Sequence, residues 1–187
     1  MKRVDAARNR AKLLEAATRL VTTCGVEGLT MQAVAAAAGV GKGTVFRHFT
    51  DRDGLLLALL SAAETEFREA YTSGPPPLGP GAPAGERLVA FGCALIERTA
   101  SATDLGAALS RELQPRRRQA SDTGWHFHRH VAALLRQAAV AGDCTLLAHA
   151  LLSFLNFETT DFLRDSCRAT DAQLKETWAD LVWRVAS

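Results

Sequence analysis

The chain reads as an all-α protein of about nine helices, and three observations carry that reading. Apolar residues recur at three- and four-residue steps along most of the 187 positions. No period-two strand pattern or Asn-Gly hairpin interrupts them. Alanine and leucine are plentiful while aromatics make up only 6% of residues, and both favour helices because they lose little rotamer freedom there.

From Ala6 to Cys24, the residues Leu13, Leu14, Ala17, Leu20, Val21 and Cys24 form one apolar stripe, with Arg8, Arg10, Lys12 and Arg19 largely off it. Gly25 is the expected stop. Thr30 offers an N-cap hydroxyl for a short second helix to about Ala37, and Gly39 marks a turn. A third, very short helix covers about Gly41 to Phe49. Thr50-Asp51-Arg52-Asp53 resembles a capping box with Asp in place of Glu or Gln, and it opens a long fourth helix striped by Leu55, Leu56, Leu59, Leu60, Ala63, Phe67 and Tyr71.

Residues 73–85, SGPPPLGPGAPAG, hold five prolines and four glycines, which excludes regular structure and predicts an exposed, partly extended linker. Helices are then expected over about 86–100, 104–113 (halted by Pro115) and 120–141. Asp143 is a cap candidate for a very apolar helix reaching about Arg164. Thr170-Asp-Ala-Gln173 is a full capping box opening the last helix, with Leu174, Trp178, Leu181, Val182 and Val185 facing inward. The predicted organisation is therefore a head over 1–50, a connecting helix over 51–72, the linker over 73–85 and a helical domain over 86–187.

Composition narrows the function. At 48% hydrophobic and 22% charged, the chain matches soluble globular proteins with a substantial core. Residues 1–54 carry nine Lys or Arg against five Asp or Glu, and the remainder thirteen against fifteen, so an anionic partner is expected for the amino-terminal piece alone. Cys24, Cys93, Cys144 and Cys167 are scattered without C-x-x-C spacing, which supports neither zinc nor redox chemistry and predicts buried free thiols. The charged start lacks a signal-peptide core, and no apolar run approaches the roughly 20 residues of a membrane span. A cytoplasmic protein without a membrane role and without a cofactor is expected.

The second and third helices and the glycine turn between them have the elements of a helix-turn-helix. Ala35 lies where the helices approach most closely, Gly39 can take the positive φ of the turn, and Val34, Ala38, Val40 and Val45 pack the pair together. The opposite face of the third helix carries Lys42, Thr44, Arg47 and His48, which can reach phosphates or base edges, while Gly41 and Gly43 permit close backbone approach.

The stretch GLTMQAVAAAAGVGKGTVFRHFTDRDGLLLALL, residues 28–60, resembles the DNA-binding region of the TetR family of bacterial transcriptional regulators. The resemblance covers about residues 8–60 and implies phosphate contacts from Thr30, Gln32 and Arg52, with Gly41, Lys42, Gly43, Thr44, Phe46, Arg47 and His48 on the recognition helix. Phe46 departs from the usual Tyr and so lacks a phosphate-binding hydroxyl. Gly54 is a poor helix former for its place.

The family also implies a homodimer on a palindromic double-stranded DNA operator, with a small-molecule effector that releases a repressor. In the family the last two helices form the dimer bundle. The surplus apolar surface of those helices here supports an interface of Leu147, Leu151, Phe154, Leu155, Trp178, Leu181 and Trp183. Phe67, Phe91, Cys93, Leu95, Leu109, Trp125, Phe127 and Phe154 are candidates to line an effector pocket, and equally readable as plain core. His126 and His130, one turn apart, have the spacing for a shared metal but no third ligand. A regulator without an effector pocket, its carboxy-terminal part serving only dimerisation or protein partners, is the alternative. No nucleophile elbow, phosphate loop or carboxylate pair points to an enzyme.

Overall fold

The computed structural model describes residues 2–101 and 123–186. Every regular element among them is helical: α1 (Lys2–Cys24), α2 (Met31–Ala38), α3 (Lys42–His48), α4 (Arg52–Ser73), α5 (Ala84–Ser101), α6 (Thr123–Gln137), α7 (Cys144–Phe154), α8 (Phe157–Asp165) and α9 (Asp171–Ala186). The helix expected over 104–113 lies outside the described residues, as do the arginines at 116–118.

The chain divides into two compact units, the first holding residues up to Thr65 and the second running from Glu66. In the first, Leu13 and Ala17 of α1, Val34 and Ala35 of α2, Val45 of α3 and Leu55, Leu56 and Leu59 of α4 share one buried core, closed by Phe49. Ala35 is 4% exposed, as its place in the helix contact demands. In the second, the fully buried Trp178 of α9 sits among Leu88, Phe91 and Ile96 of α5, Leu134 and Leu135 of α6, and Leu151 and Leu155. Burying an indole on this scale contributes about 3–5 kcal/mol relative to Ala.

Local signals set the helix ends. Asp143 accepts hydrogen bonds from the amides of Thr145 (2.8 Å) and Leu146 (3.2 Å), which hold its carboxyl below the usual carboxylate range. At α9 the capping box forms reciprocally: the Thr170 amide donates to Gln173 Oε1 (2.9 Å) and the Gln173 amide to Thr170 Oγ1 (3.2 Å).

Four expectations are corrected. The cap of α4 is Asp51, whose Oδ1 accepts from the Gly54 amide at 2.7 Å, and the helix proceeds intact through Gly54. The helix expected over 143–164 is broken: α7 ends at Phe154, and Asn156 caps α8 by accepting from the Thr159 amide at 2.6 Å. A short polar side chain inside an apolar run competes with the helix by offering its own backbone bond. Residues 74–83 are turns rather than extended chain, closed by Gly79 N–H donating to Pro75 O (2.9 Å), with Leu78 packed on the core. Lastly, Cys24 and Cys167 are exposed, and Cys93 and Cys144 are only half-buried against the core, so the thiols are free but not fully buried.

Candidate nucleic-acid interface and a cleft in the second unit

The recognition geometry grows from two caps and one glycine. Thr30 Oγ1 accepts from the Ala33 amide at 3.0 Å and starts α2. At its other end Gly39 takes φ +68°, and two reverse bonds seal the turn: Gly39 N–H donates to Ala36 O (3.2 Å) and Val40 N–H to Ala35 O (3.0 Å). That pair is a Schellman motif, which needs a left-handed residue and therefore favours glycine. Val45, fully buried, and Phe49, 3% exposed, then pin α3 by its inner face.

With Val45 inward, the outer face of α3 is set by helical periodicity. Lys42, Gly43, Phe46 and Arg47 are exposed, and Thr44 and His48 half-buried. Thr30, Gln32 and Gly41 are exposed on the neighbouring α2 end and turn. Phe46, at 43% exposure, is an aromatic left in water, with Lys42 Nζ 5.7 Å from its ring centre. The glycines are informative. A Cβ on Gly41 or Gly43 would meet nothing within 4 Å, so no packing inside the protein calls for glycine there. Gly43 within a short helix costs up to about 1 kcal/mol relative to Ala. Gly41 is the N-cap of α3, a position that suits glycine, and the backbone at both glycines is left open to approach from outside.

Arg52 stands apart from that face. Its Nε donates to Leu29 O (2.8 Å) and its Nη2 to Val26 O (2.8 Å), so the guanidinium clamps the turn between α1 and α2 from within the unit. Two of its five N–H donors are committed to these carbonyls, which gives the residue a structural role besides the phosphate contact expected of it.

The second unit contains a cleft of about 460 Å3. Leu95 and Thr99 of α5, Gly124, Phe127 and His128 of α6, and His149, Leu152 and Ser153 of α7 line it, together with residues 155–157. Of the candidate pocket residues, only Leu95 and Phe127 face it. Phe67 and Phe91 belong to a buried aromatic cluster with Tyr71, their rings 5.5 Å apart. Phe154 stacks on Trp178 at 6.5 Å, Cys93 is half-buried away from the cleft, and Leu109 lies outside the described residues. Trp125 is 62% exposed and stacks on His128 at 5.5 Å and 10°. The sequence shows His128 only as one of three histidines in the run 125–130, open to an exposed or a ligand-facing role, and nothing local shows that it meets His149 of α7 at one cleft.

Among the interface candidates, Leu151, Leu155 and Trp178 are corrected to core, at 6%, 5% and 0% exposure. Trp178 is tied inward further by Nε1–H bonds to Leu88 O (3.0 Å) and Val89 O (3.2 Å). Leu147, Phe154 and Leu181 are half-buried and Trp183 is 48% exposed, while Leu146 and Phe162 are further exposed apolar residues of these helices.

The paired histidines of α6 serve no described metal site. His130 packs on Tyr71 (ring centres 4.3 Å) and Phe91 (5.1 Å), and its Nε2 is buried without a partner. Burial, aided by the nearby Arg87 charge, lowers its pKa to about 4. Among the described residues no three His, Cys, Asp or Glu side chains gather to hold a metal ion, and no helix is long and apolar enough to cross a membrane.

Residues 13–59 match the model of the bacterial regulatory proteins of the tetR family. An HTH-type transcriptional regulator of Staphylococcus aureus (strain bovine RF122 / ET3-1) is 42% identical over 71 residues, 36% of this chain and 38% of that protein, so the chain spans well under half the length of this curated relative. A candidate TetR-family regulator from Rhodococcus sp. shares the fold with a TM-score of 0.70 at 21% identity, over 97% of this chain and all of that one. A candidate regulator from Saccharomonospora viridis, solved with choline, gives 0.71 at 20% identity, over 95% and 96% of the two chains.

Proposed function

We propose that the chain, whose residues 13–59 match the model of the bacterial regulatory proteins of the tetR family, works as a homodimer on a palindromic operator and that a small molecule in the second-unit cleft releases it. One observation carries the DNA reading: α3 presents Lys42, Thr44, Arg47 and His48 beside Gly41 and Gly43, whose missing side chains leave the backbone open to approach. A helix of this kind fits the major groove, where Arg47 is suited to bidentate contact with guanine and Lys42 and Thr44 to phosphate. Thr30 and Gln32 add phosphate contacts from α2, and Phe46 packs on sugar or a thymine methyl.

One head reads about one half-site and binds weakly, so two-fold pairing is needed for a specific complex. The exposed Leu146, Phe162 and Trp183 on α7, α8 and α9 support pairing through these helices. The cleft supports a ligand, as does the choline bound to a relative of the same fold. Such a ligand acts only by binding the DNA-free arrangement more tightly than the DNA-bound one.

Selection of bound sites from random DNA by the full chain should return a palindrome, bound with affinity that falls steeply with salt as counterions are released. Arg47→Ala should then weaken that site by about 5- to 150-fold, equivalent to roughly 1–3 kcal/mol. Unaltered affinity in this variant rules out α3 as the reading helix.

A further inference from the structure

His128 is the least expected residue of the cleft. At 6% exposure it is more than nine-tenths buried, yet it lines open space. Its Nε2 lies 3.0 Å from the Thr145 carbonyl oxygen. A carbonyl has no proton to give, so Nε2 carries the hydrogen and donates. In the neutral ring the lone pair is then on Nδ1, which has no hydrogen-bond partner among the described residues and is not fully buried, on a side chain that lines the cleft. An accessible acceptor whose tautomer is fixed by a backbone carbonyl is pre-set to receive a donor.

The surroundings say what should carry that donor. The Trp125 indole stacks on His128, and the His149 ring centre is 4.7 Å away. Phe127, Leu152 and Phe157 supply apolar walls. The described lining holds no carboxylate, lysine or arginine, so a charged group entering here would find no ion-pair partner. The volume of 460 Å3 is about three times the roughly 150 Å3 that accommodates a single benzene ring. We propose that the cleft takes an uncharged, planar aromatic molecule of about two fused rings, whose hydroxyl or N–H group donates a hydrogen bond to His128 Nδ1. The proposal rests on the cleft being the ligand site and adds the chemical class of its ligand.

Calorimetric titration of the full chain with naphthol, naphthyl methyl ether and naphthalene tests it. The three share a ring system, and only naphthol can donate. Naphthol should bind about tenfold more tightly than its ether, the worth of one net hydrogen bond. In His128→Phe, which keeps a planar ring but has no acceptor, that preference should vanish while naphthalene still binds. If His128→Phe does not fold, the imidazole 15N resonances of the wild type decide: naphthol, and not its ether, should shift His128 Nδ1, and an unmoved resonance would overturn the proposal. Equal binding of naphthol and its ether, survival of the preference in His128→Phe, or no binding of any of the three would overturn the proposal. The effector reading is scored separately on the operator complex. Naphthol that binds through His128 and leaves DNA bound defeats release but not the ligand class. Release by a compound indifferent to His128 does the opposite.

Discussion

Gly92 of α5 is the seat of the Trp178 indole of α9: a Cβ placed on Gly92 would overlap the ring. The indole cannot retreat, because it is fully buried and its Nε1–H is committed to the carbonyls of Leu88 and Val89. Gly92→Ala would improve helix propensity by up to about 1 kcal/mol, against an overpacking cost of typically ~1–3 kcal/mol when a methyl is forced into a filled core. Overpacking should win, and chemical denaturation followed by tryptophan fluorescence should show a net loss of stability. A more stable variant would mean that the α5–α9 contact is looser than described.

Gly43 should behave in the opposite way. Its Cβ position is empty, so Gly43→Ala should leave the isolated protein as stable or more stable, by a few tenths to about 1 kcal/mol. Operator affinity should nonetheless fall, because the added methyl occupies the space through which the backbone meets DNA. Melting curves and binding isotherms on one preparation check both signs, and undiminished affinity would detach Gly43 from the interface.

Arg52 separates a structural from a phosphate role. Arg52→Ala deletes two charge-assisted bonds to Leu29 and Val26, each worth about 1.5–3 kcal/mol before relaxation and solvent replace part of it. The head should lose stability, while the slope of log affinity against log salt stays unchanged. A phosphate contact would instead lower that slope by about one. Salt titrations of wild type and variant decide between them.

His130 predicts a pH dependence. Its folded pKa of about 4 lies below the ordinary 6.5, because burial and then Arg87 disfavour the charged ring. Between those values the unfolded chain binds the proton and the folded chain does not, so stability should fall as pH drops from about 6.5 to 4. His130→Phe, which preserves the aromatic packing on Tyr71 and Phe91, should flatten the profile in this window. Denaturation midpoints measured across the range would show an unchanged profile if other groups dominate.

Much of the head was legible from its residues. Thr30, Gly39, Ala35 and Val45 act within a few positions of their partners, and each answers a local demand: a cap, a positive φ, a close contact, an inward face. The capping boxes were read less evenly. Thr170 with Gln173 forms as written, whereas at α4 the neighbouring Asp51 takes the cap from Thr50, since its carboxylate reaches the Gly54 amide. The structural bonds of Arg52 were not legible, because they run to carbonyls more than twenty positions away and motif register carries no information on that.

By itself the sequence determined that the chain is helical, that Thr30 to Phe49 form a helix-turn-helix, and that the outward face of α3 carries Lys42, Phe46 and Arg47, because period, cap and turn are properties of neighbours along the chain. Only the tertiary structure decided which apolar residues of the later helices are core and which are surface. α7 is apolar nearly all round, so its pattern does not choose between Leu151, which is buried, and Leu146, which is exposed. That choice comes from which helices pack against it, as does the meeting of His128 and His149 at one cleft: burial and proximity depend on the whole set of neighbours, and helical periodicity is blind to them.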